Sequence, residues 1–191
     1  MKKSTNISKV KRLLCLPFFH AAMVPIAQTT PLRSGQVTYI MRRFELEAFL
    51  KNIEKYGITD VLLVPRIVLS IIKSPLKHKY SLRSVRYGFI GGAPVHTDSQ
   101  RQFNALLHPS EGLNPAWRMT ETTCLAMTFR WPEVDTSGSI GHLLPNMSAK
   151  LVSPIHARRR KSDLSLDLST TKVMISEHII FLVSFAFEDP L

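Results

Sequence analysis

The sequence has 191 residues, 45% of them hydrophobic, enough apolar material to bury one core and too much for a disordered chain. Lysine and arginine number 25 against 14 aspartates and glutamates, a formal net charge of +11 that suits contact with phosphates, nucleic acid or an anionic membrane surface. Specific nucleic-acid binding is disfavoured because the basic runs carry no interleaved aromatic stacking platforms, and the two cysteines, Cys15 and Cys124, are too few and too far apart for a disulfide framework or a metal knuckle.

Lys2, Lys3, Lys9, Lys11 and Arg12 open the chain, and residues 1–12 read as a solvated basic N-terminal extension. The run from Leu13 to Ala27 imitates a secretory signal with a small-residue end, but Pro17, His20 and Pro25 interrupt it. From Phe44 to Tyr56 the apolar residues Leu46, Phe49, Leu50 and Ile53 recur at helical spacing. Glu45 and Glu47 sit in the first turn, Lys55 near the last, and Gly57 supplies the stop. Ile58 to Val64 reads as a strand buried on both faces and closed by Pro65. Helical patterning returns from Arg66 to Lys73 and ends at Ser74-Pro75.

Ser84 to Ile90 reads as the next strand, followed at once by the turn Gly91-Gly92-Ala93-Pro94 and a helix carrying Phe103, Leu106 and Leu107. Strand, helix, strand, helix implies a parallel sheet. Leu113 to Trp117 is a further strand weakened by Pro115, and Met119 to Thr123 opens the element after it. Right-handed crossovers place both turns at the carboxyl edge of the sheet. Ser148 to Val152 is the last strand of this series. After Pro154 the sequence turns basic at Arg158 to Lys161, then serine- and leucine-rich, then apolar, so residues 154–191 read as a divergent tail. Its run Ile179 to Val183 is a buried strand or an aggregation-prone segment, since a membrane span needs about 20 apolar residues.

Four segments carry candidate chemistry. The turn from Gly91 to Pro94 lacks bulky side chains, so its backbone can lie close to a flat ligand such as a purine; read alone it is an ordinary tight turn. Met119-Thr120-Glu121-Thr122-Thr123 offers three hydroxyls and one carboxylate where a strand hands over to a helix, a place that can hold a phosphate and a magnesium ion shared with it. The rival reading is a helix N-cap, with Thr120 or Thr122 bonding the first-turn amides and Glu121 complementing the dipole. Gly138 to Asn146 is loop chemistry, and His20 is either a polar group at the mouth of an apolar pocket or a hydrogen-bonded core histidine. No phosphate loop with its lysine, no nucleophile elbow and no zinc-ligand spacing occurs in the 191 residues.

Taken together and in order, these segments resemble the middle of the adenylate-forming, AMP-binding superfamily, in particular fungal 4-coumarate–CoA ligase-like and acyl-CoA synthetase-like enzymes. Cys15-Leu16-Pro17-Phe18-Phe19-His20 resembles the family's Pro-Leu-Phe-His segment. Pro31 to Gly35, with Met41, Phe44 and the helix to Tyr56, resembles its next strand and helix, and Val64-Pro65 its Val-Pro-Pro element. Gly91-Gly92-Ala93-Pro94 resembles the Gly-Ala-Ala-Pro adenine-binding turn, Trp117-Arg118-Met119-Thr120-Glu121 the Tyr-Gly-Met-Thr-Glu signature, and Gly138 to Asn146 the Gly-Ser-Val-Gly loop that follows. The resemblance covers residues 13–153, expected as a partial AMP-binding domain.

The resemblance implies part of a large N-terminal α/β domain, incomplete, with a mainly parallel sheet flanked by helices. It implies the family's reaction, in which a carboxylic acid attacks ATP to give an acyl-adenylate and coenzyme A then displaces AMP, with magnesium needed for the first step. Gly91, Gly92, Ala93 and Pro94 would line the adenine, Trp117 and Met119 would lie near it, Thr120 would bond the phosphate, and Glu121 would hold magnesium. Thr120 and Glu121 are thus the expected catalytic pair, while His20 and Gly141 would border the acyl pocket. Arg118 departs from the pattern, a bulky cation at the signature's glycine. The family's phosphate loop and C-terminal domain, each with a lysine, have no counterpart in these residues, so the expectation is a truncated, inactive ligase fragment. The alternative is a non-catalytic binding or regulatory protein of the same descent. Either suits an intracellular chain, cytoplasmic or peroxisomal, with secretion the lesser alternative, no membrane span and no specific nucleic-acid partner.

Overall fold

The computed structural model describes residues 10–108, 111–122, 124–130, 133–135, 138–145, 147–152 and 180–185. Seven short strands form one sheet: β1 (Lys11–Leu14), β2 (Val37–Ile40), β3 (Asp60–Leu63), β4 (Tyr87–Gly91), β5 (Gly112–Arg118), β6 (Leu125–Thr128) and β7 (His142–Leu143). Their spatial order is β2-β1-β3-β4-β5-β6-β7. The pairings from β2 across to β5 are parallel, and β6 and β7 add on antiparallel. A mainly parallel sheet with helical crossovers is the expected architecture.

Local chemistry explains where the helices begin and end. A π-helical turn, Val24–Thr29, runs into α1 (Thr30–Ser34), which links β1 to β2. In α2 (Leu46–Tyr56) the Glu45 carboxylate accepts hydrogen bonds from the amides of Glu47 and Ala48 at 3.0 and 2.8 Å, and Gly57 closes the other end at a φ of 57°. α3 (Pro65–Lys73) starts on a proline, whose fixed φ suits the first helical position, with Val64 held extended before it. A 3-10 turn at Pro75–His78 precedes the loop to β4, and α4 (Thr97–Asn104) crosses from β4 to β5.

The core is built from the buried faces that the periodicities mark out. Phe49, Leu50 and Ile53 of α2 and Ile67, Val68, Ile71 and Ile72 of α3 pack with Leu13, Val61, Leu63, Ile90 and Leu113 of the strands, and Phe103 of α4 joins them. Every residue of β3 is buried, as a strand covered on both faces requires. Leu14, Met23 and Leu62 form a smaller cluster together with half-buried Ile26 and Ala27 of the π-helical turn.

Two expectations change. Lys11 and Arg12, read from sequence as part of a solvated extension, are the first half of β1, and Arg12 is buried against Asp60 of β3. No helix follows Met119: a turn leads straight into β6, which runs back antiparallel to β5, so the N-cap reading of Thr120 and Thr122 does not hold. Beyond the main sheet, β8 (Met147–Val152) pairs antiparallel with β9 (Ile180–Phe185), so the apolar run of the tail is a strand. The basic run Arg158 to Lys161 lies outside the described residues. Among the described residues no helix is long and apolar enough to cross a membrane.

One exposed contact ties α2 to the segment after α3. Lys79 Nζ and the Tyr80 hydroxyl donate to the Glu47 carboxylate at 2.6 and 2.8 Å. These hydrogen bonds, that from Lys79 foremost, hold the Glu47 pKa below its ordinary 4.5. A folded-state pKa below the unfolded one contributes stability above the unfolded value and loses it as pH falls through the folded value. Glu47→Gln is therefore expected to lower the urea midpoint slightly at neutral pH, with the variant and parent curves converging in acid; a constant gap across an acid series would refute the pairing.

Candidate functional site

The register of the parallel strands brings the ends of β4 and β5 together at the carboxyl edge of the sheet, where Gly91 lies opposite Ala116. A Cβ on Gly91 would come within 2.6 Å of the Ala116 carbonyl oxygen, so this approach demands glycine. Gly92 follows at a φ of 93°, and Gly92, Ala93 and Pro94 are exposed before α4 begins. The turn thus presents bare backbone at the edge, as the sequence suggests.

The adjacent turn leaves β5 at Arg118. Thr122 is buried and closes the turn on itself: its hydroxyl accepts from the Met119 amide at 3.3 Å and lies 3.0 and 3.2 Å from the carbonyls of Met119 and Cys124. Thr120 and Glu121 are exposed at the crest, with no hydrogen-bond or ion-pair partner among the described residues. Of the polar side chains in the segment, the fold ties down Thr122 and leaves Thr120 and Glu121 facing solvent. Met119 is half-buried, and Thr123 lies outside the described residues.

Trp117 and Arg118 leave β5 on opposite faces, as consecutive strand residues do. The Trp117 indole packs against Ala126, Met127 and Leu143. It is the Arg118 side chain that lies over the glycine turn, with Nε 3.6 Å from where a Gly91 Cβ would stand and Nη2 3.5 Å from that of Gly92. Arg118 ends a strand, and the irregularity beside it is taken up as a register shift between Trp117 and Arg118.

Two further loops close on this edge. After β1, the chain turns at Pro17–His20, with His20 exposed and its Nδ1 accepting from the Ala22 amide at 3.2 Å; it is no core histidine. The Ala22 carbonyl in turn accepts from Cys124 Sγ at 3.4 Å, joining this loop to the Thr120–Glu121 turn. On the other side, Asp135 accepts from the Gly138 amide at 3.1 and 3.2 Å, and the Cβ position of Gly138 lies 3.5 Å from the Thr97 hydroxyl at the start of α4. Gly141, at a φ of 88°, is buried directly against the backbone of Thr128 and Phe129.

Sequence reasoning missed the residue that anchors this last loop. Asn114, buried in β5, donates through Nδ2 to the Glu133 carbonyl at 2.7 Å and accepts at Oδ1 from the Asp135 amide at 2.9 Å. A polar residue between Leu113 and Pro115, in an otherwise apolar strand, is the signal that could have found it, since buried amides are retained when fully bonded.

Electrostatically the edge is cationic at Arg118. Partial burial lowers its pKa, and burial pushes the neighbouring Cys124 thiol up although Arg118 opposes that shift. Cys15, at the end of β1, is pushed up to about 11 by burial. Both thiols are therefore protonated at neutral pH. A 450 Å³ depression lined by Thr59, Arg83, Arg86 and His108 lies at the opposite, amino edge and includes none of the predicted site residues.

Comparison with known proteins follows the same outline. The family model described as AMP-binding enzyme matches residues 3–161. The chain is 47% identical over 137 residues to acyl-CoA synthetase ACTT5 of Alternaria alternata, covering 72% of this chain and 24% of that protein. It is 34% identical over 143 residues to 4-coumarate--CoA ligase-like 9 of Arabidopsis thaliana, covering 74% of this chain and 25% of that one. The chain thus spans about a quarter of the length of these relatives. Among solved structures, the N-terminal domain of FACL13 from Mycobacterium tuberculosis superposes with a TM-score of 0.66 at 18% identity, over 76% of this chain and 36% of that one.

Proposed function

The chain belongs to the AMP-binding enzyme family, and on that footing we propose that it supplies the adenine and phosphate contacts of an AMP-dependent acyl- or aryl-CoA ligase. The observation that carries this reading is the pairing of two turns at one sheet edge: bare backbone at Gly91–Ala93, and beside it Thr120 and Glu121 with unengaged side chains.

Each group suits its role on chemical grounds. The open backbone at Gly92 and Ala93 gives a flat base room to approach. Thr120 can donate its hydroxyl proton to a phosphate oxygen, and Glu121 can accept a hydrated cation that the phosphates share. Magnesium keeps most of its waters and takes only one or two protein carboxylates, so a single unpaired glutamate beside a phosphate site fits it. Bound there, it would supply charge neutralisation at the phosphates. His20 and Gly141 would flank the acid, His20 from the loop after β1 and Gly141 through the backbone it brings against Thr128.

These residues hold groups that bind and orient. A lysine on a glycine-rich loop, which would stabilise the transferred phosphoryl charge, is not among the 191 residues. The chain by itself is thus expected to bind nucleotide without turnover, and its acid and coenzyme A partners are those its relatives' names suggest.

The experiment is calorimetric titration of the purified 191-residue chain with AMP and with magnesium-ATP. Glu121→Ala should abolish the dependence on magnesium and Thr120→Ala should weaken both ligands, each by about tenfold or more, as loss of a hydrogen bond to a charged group implies. Equal affinity in parent and both variants would sink the assignment.

A further inference from the structure

We propose that Arg118 is the group through which this chain recognises the phosphate of a nucleotide at the glycine turn, a role that deepens the nucleotide-binding reading above and rests on it. Arg118 ends β5 and its guanidinium lies along Gly91 and Gly92, with Nε and Nη2 3.6 and 3.5 Å from the Cβ positions of those residues. A Cβ at either glycine would stand in ordinary van der Waals contact with the guanidinium, so the arginine lies directly on the backbone of the turn. The charge is therefore held at the same edge as Thr120 and Glu121, two and three residues further along the chain.

Its surroundings leave the charge uncompensated. No carboxylate or carbonyl among the described residues pairs with Arg118, although Glu121 stands on the same turn. The titratable group that acts on it is Cys124, whose burial keeps it a neutral thiol. Half of the side chain is withdrawn from water, which disfavours the charged form, yet arginine does not release its proton in proteins. A cation that is partly desolvated, permanently charged and unpaired gains most from an anion that brings its own charge. A guanidinium also presents planar paired donors, which match phosphate oxygens geometrically.

The rival role, a plug that covers the turn and excludes the base, predicts the opposite response to mutation. Titrations of AMP and of adenosine into the full chain, its Arg118→Met variant and its Arg118→Lys variant separate the two, with circular dichroism verifying that all three are folded. Phosphate recognition requires the parent to prefer AMP over adenosine by about tenfold or more. Arg118→Met should cut that preference severalfold, to what Thr120 sustains, while leaving adenosine unchanged, and Arg118→Lys, with its charge but no fork, should restore part of it. Should Arg118→Met bind AMP as tightly as the parent, or bind both ligands more tightly, the phosphate role is wrong while the nucleotide site stands. If the parent and both folded variants bind neither ligand, the nucleotide reading itself falls, and the role of Arg118 with it.

Discussion

Replacing Asp60 with alanine is expected to remove about 3–5 kcal/mol of stability, the usual result of stranding one member of a buried ion pair. Arg12 Nε and Nη2 reach the Asp60 carboxylate at 2.7 and 3.2 Å, and Nη1 donates to the Ile26 carbonyl at 3.1 Å. Both side chains are about nine-tenths buried. Without Asp60 the guanidinium keeps its burial and loses its counter-charge, and the π-helical turn that carries Ile26 loses its tether to β1. Since small domains hold roughly 5–15 kcal/mol in all, the variant should be largely unfolded at moderate urea. The double replacement Arg12→Met with Asp60→Leu removes both charges together and should recover most of the loss. If Asp60→Ala shifts the urea midpoint no more than a surface substitution does, the pair is not buried as described.

The second large effect is expected at Gly141. Its φ of 88° is open to glycine and costs a side-chain-bearing residue about 1–2 kcal/mol. In addition, a Cβ there would overlap the carbonyl of Thr128 and stand 2.6 Å from the Phe129 amide nitrogen, backbone atoms of a paired strand that cannot rotate aside. Overpacking of this kind adds about 1–3 kcal/mol. Gly35 is the control, because it has a φ of 63° and no atom within 4 Å of its Cβ position. Gly35→Ala should show the conformational part alone, and Gly141→Ala clearly more, in thermal or urea denaturation of the two variants. Equal losses would mean that the loop moves away from β6 freely, and would remove the reason for a glycine at 141.

Why some of this was legible in the sequence and some was not follows from which signals are local. The helices 46–56 and 65–73 were visible because their periodicity, the acidic first turn and stop glycine of the first, and the Ser74-Pro75 stop of the second all lie within or next to the elements themselves. The strand at 60–63 was equally plain, since burial on both faces leaves Ile58 to Val64 a mostly apolar run rich in branched residues. By contrast, β1 reads Lys-Arg-Leu-Leu, and nothing nearby tells that Arg12 is paired with a carboxylate 48 residues away. The segment after Met119 misled for a related reason. Threonines and a glutamate suit a helix start and a tight turn alike, and only the antiparallel pairing of Leu125–Thr128 with β5 decides between them.

The candidate site divides along the same line. The glycines at 91 and 92 and the pair Thr120–Glu121 could be named from composition and order. Which hydroxyl is free and which is spent could not, because Thr122 is distinguished from Thr120 only by the carbonyls it meets once the turn is closed. That the guanidinium of Arg118, and not the indole of Trp117, lies on the glycine turn depends on the pleat of β5.

The position of β1 between β2 and β3 fixes an order of events during synthesis. β1 can pair with residues 37–40 once they have been made, but that two-stranded piece leaves Arg12 with no carboxylate to meet it. Only when Asp60 emerges does withdrawing Arg12 from water become favourable, and the same residue starts the strand that completes the other side of β1. The strand that gives β1 its second neighbour is thus the one that carries its counter-charge, so the pairing that withdraws Arg12 from water is also the pairing that neutralises it.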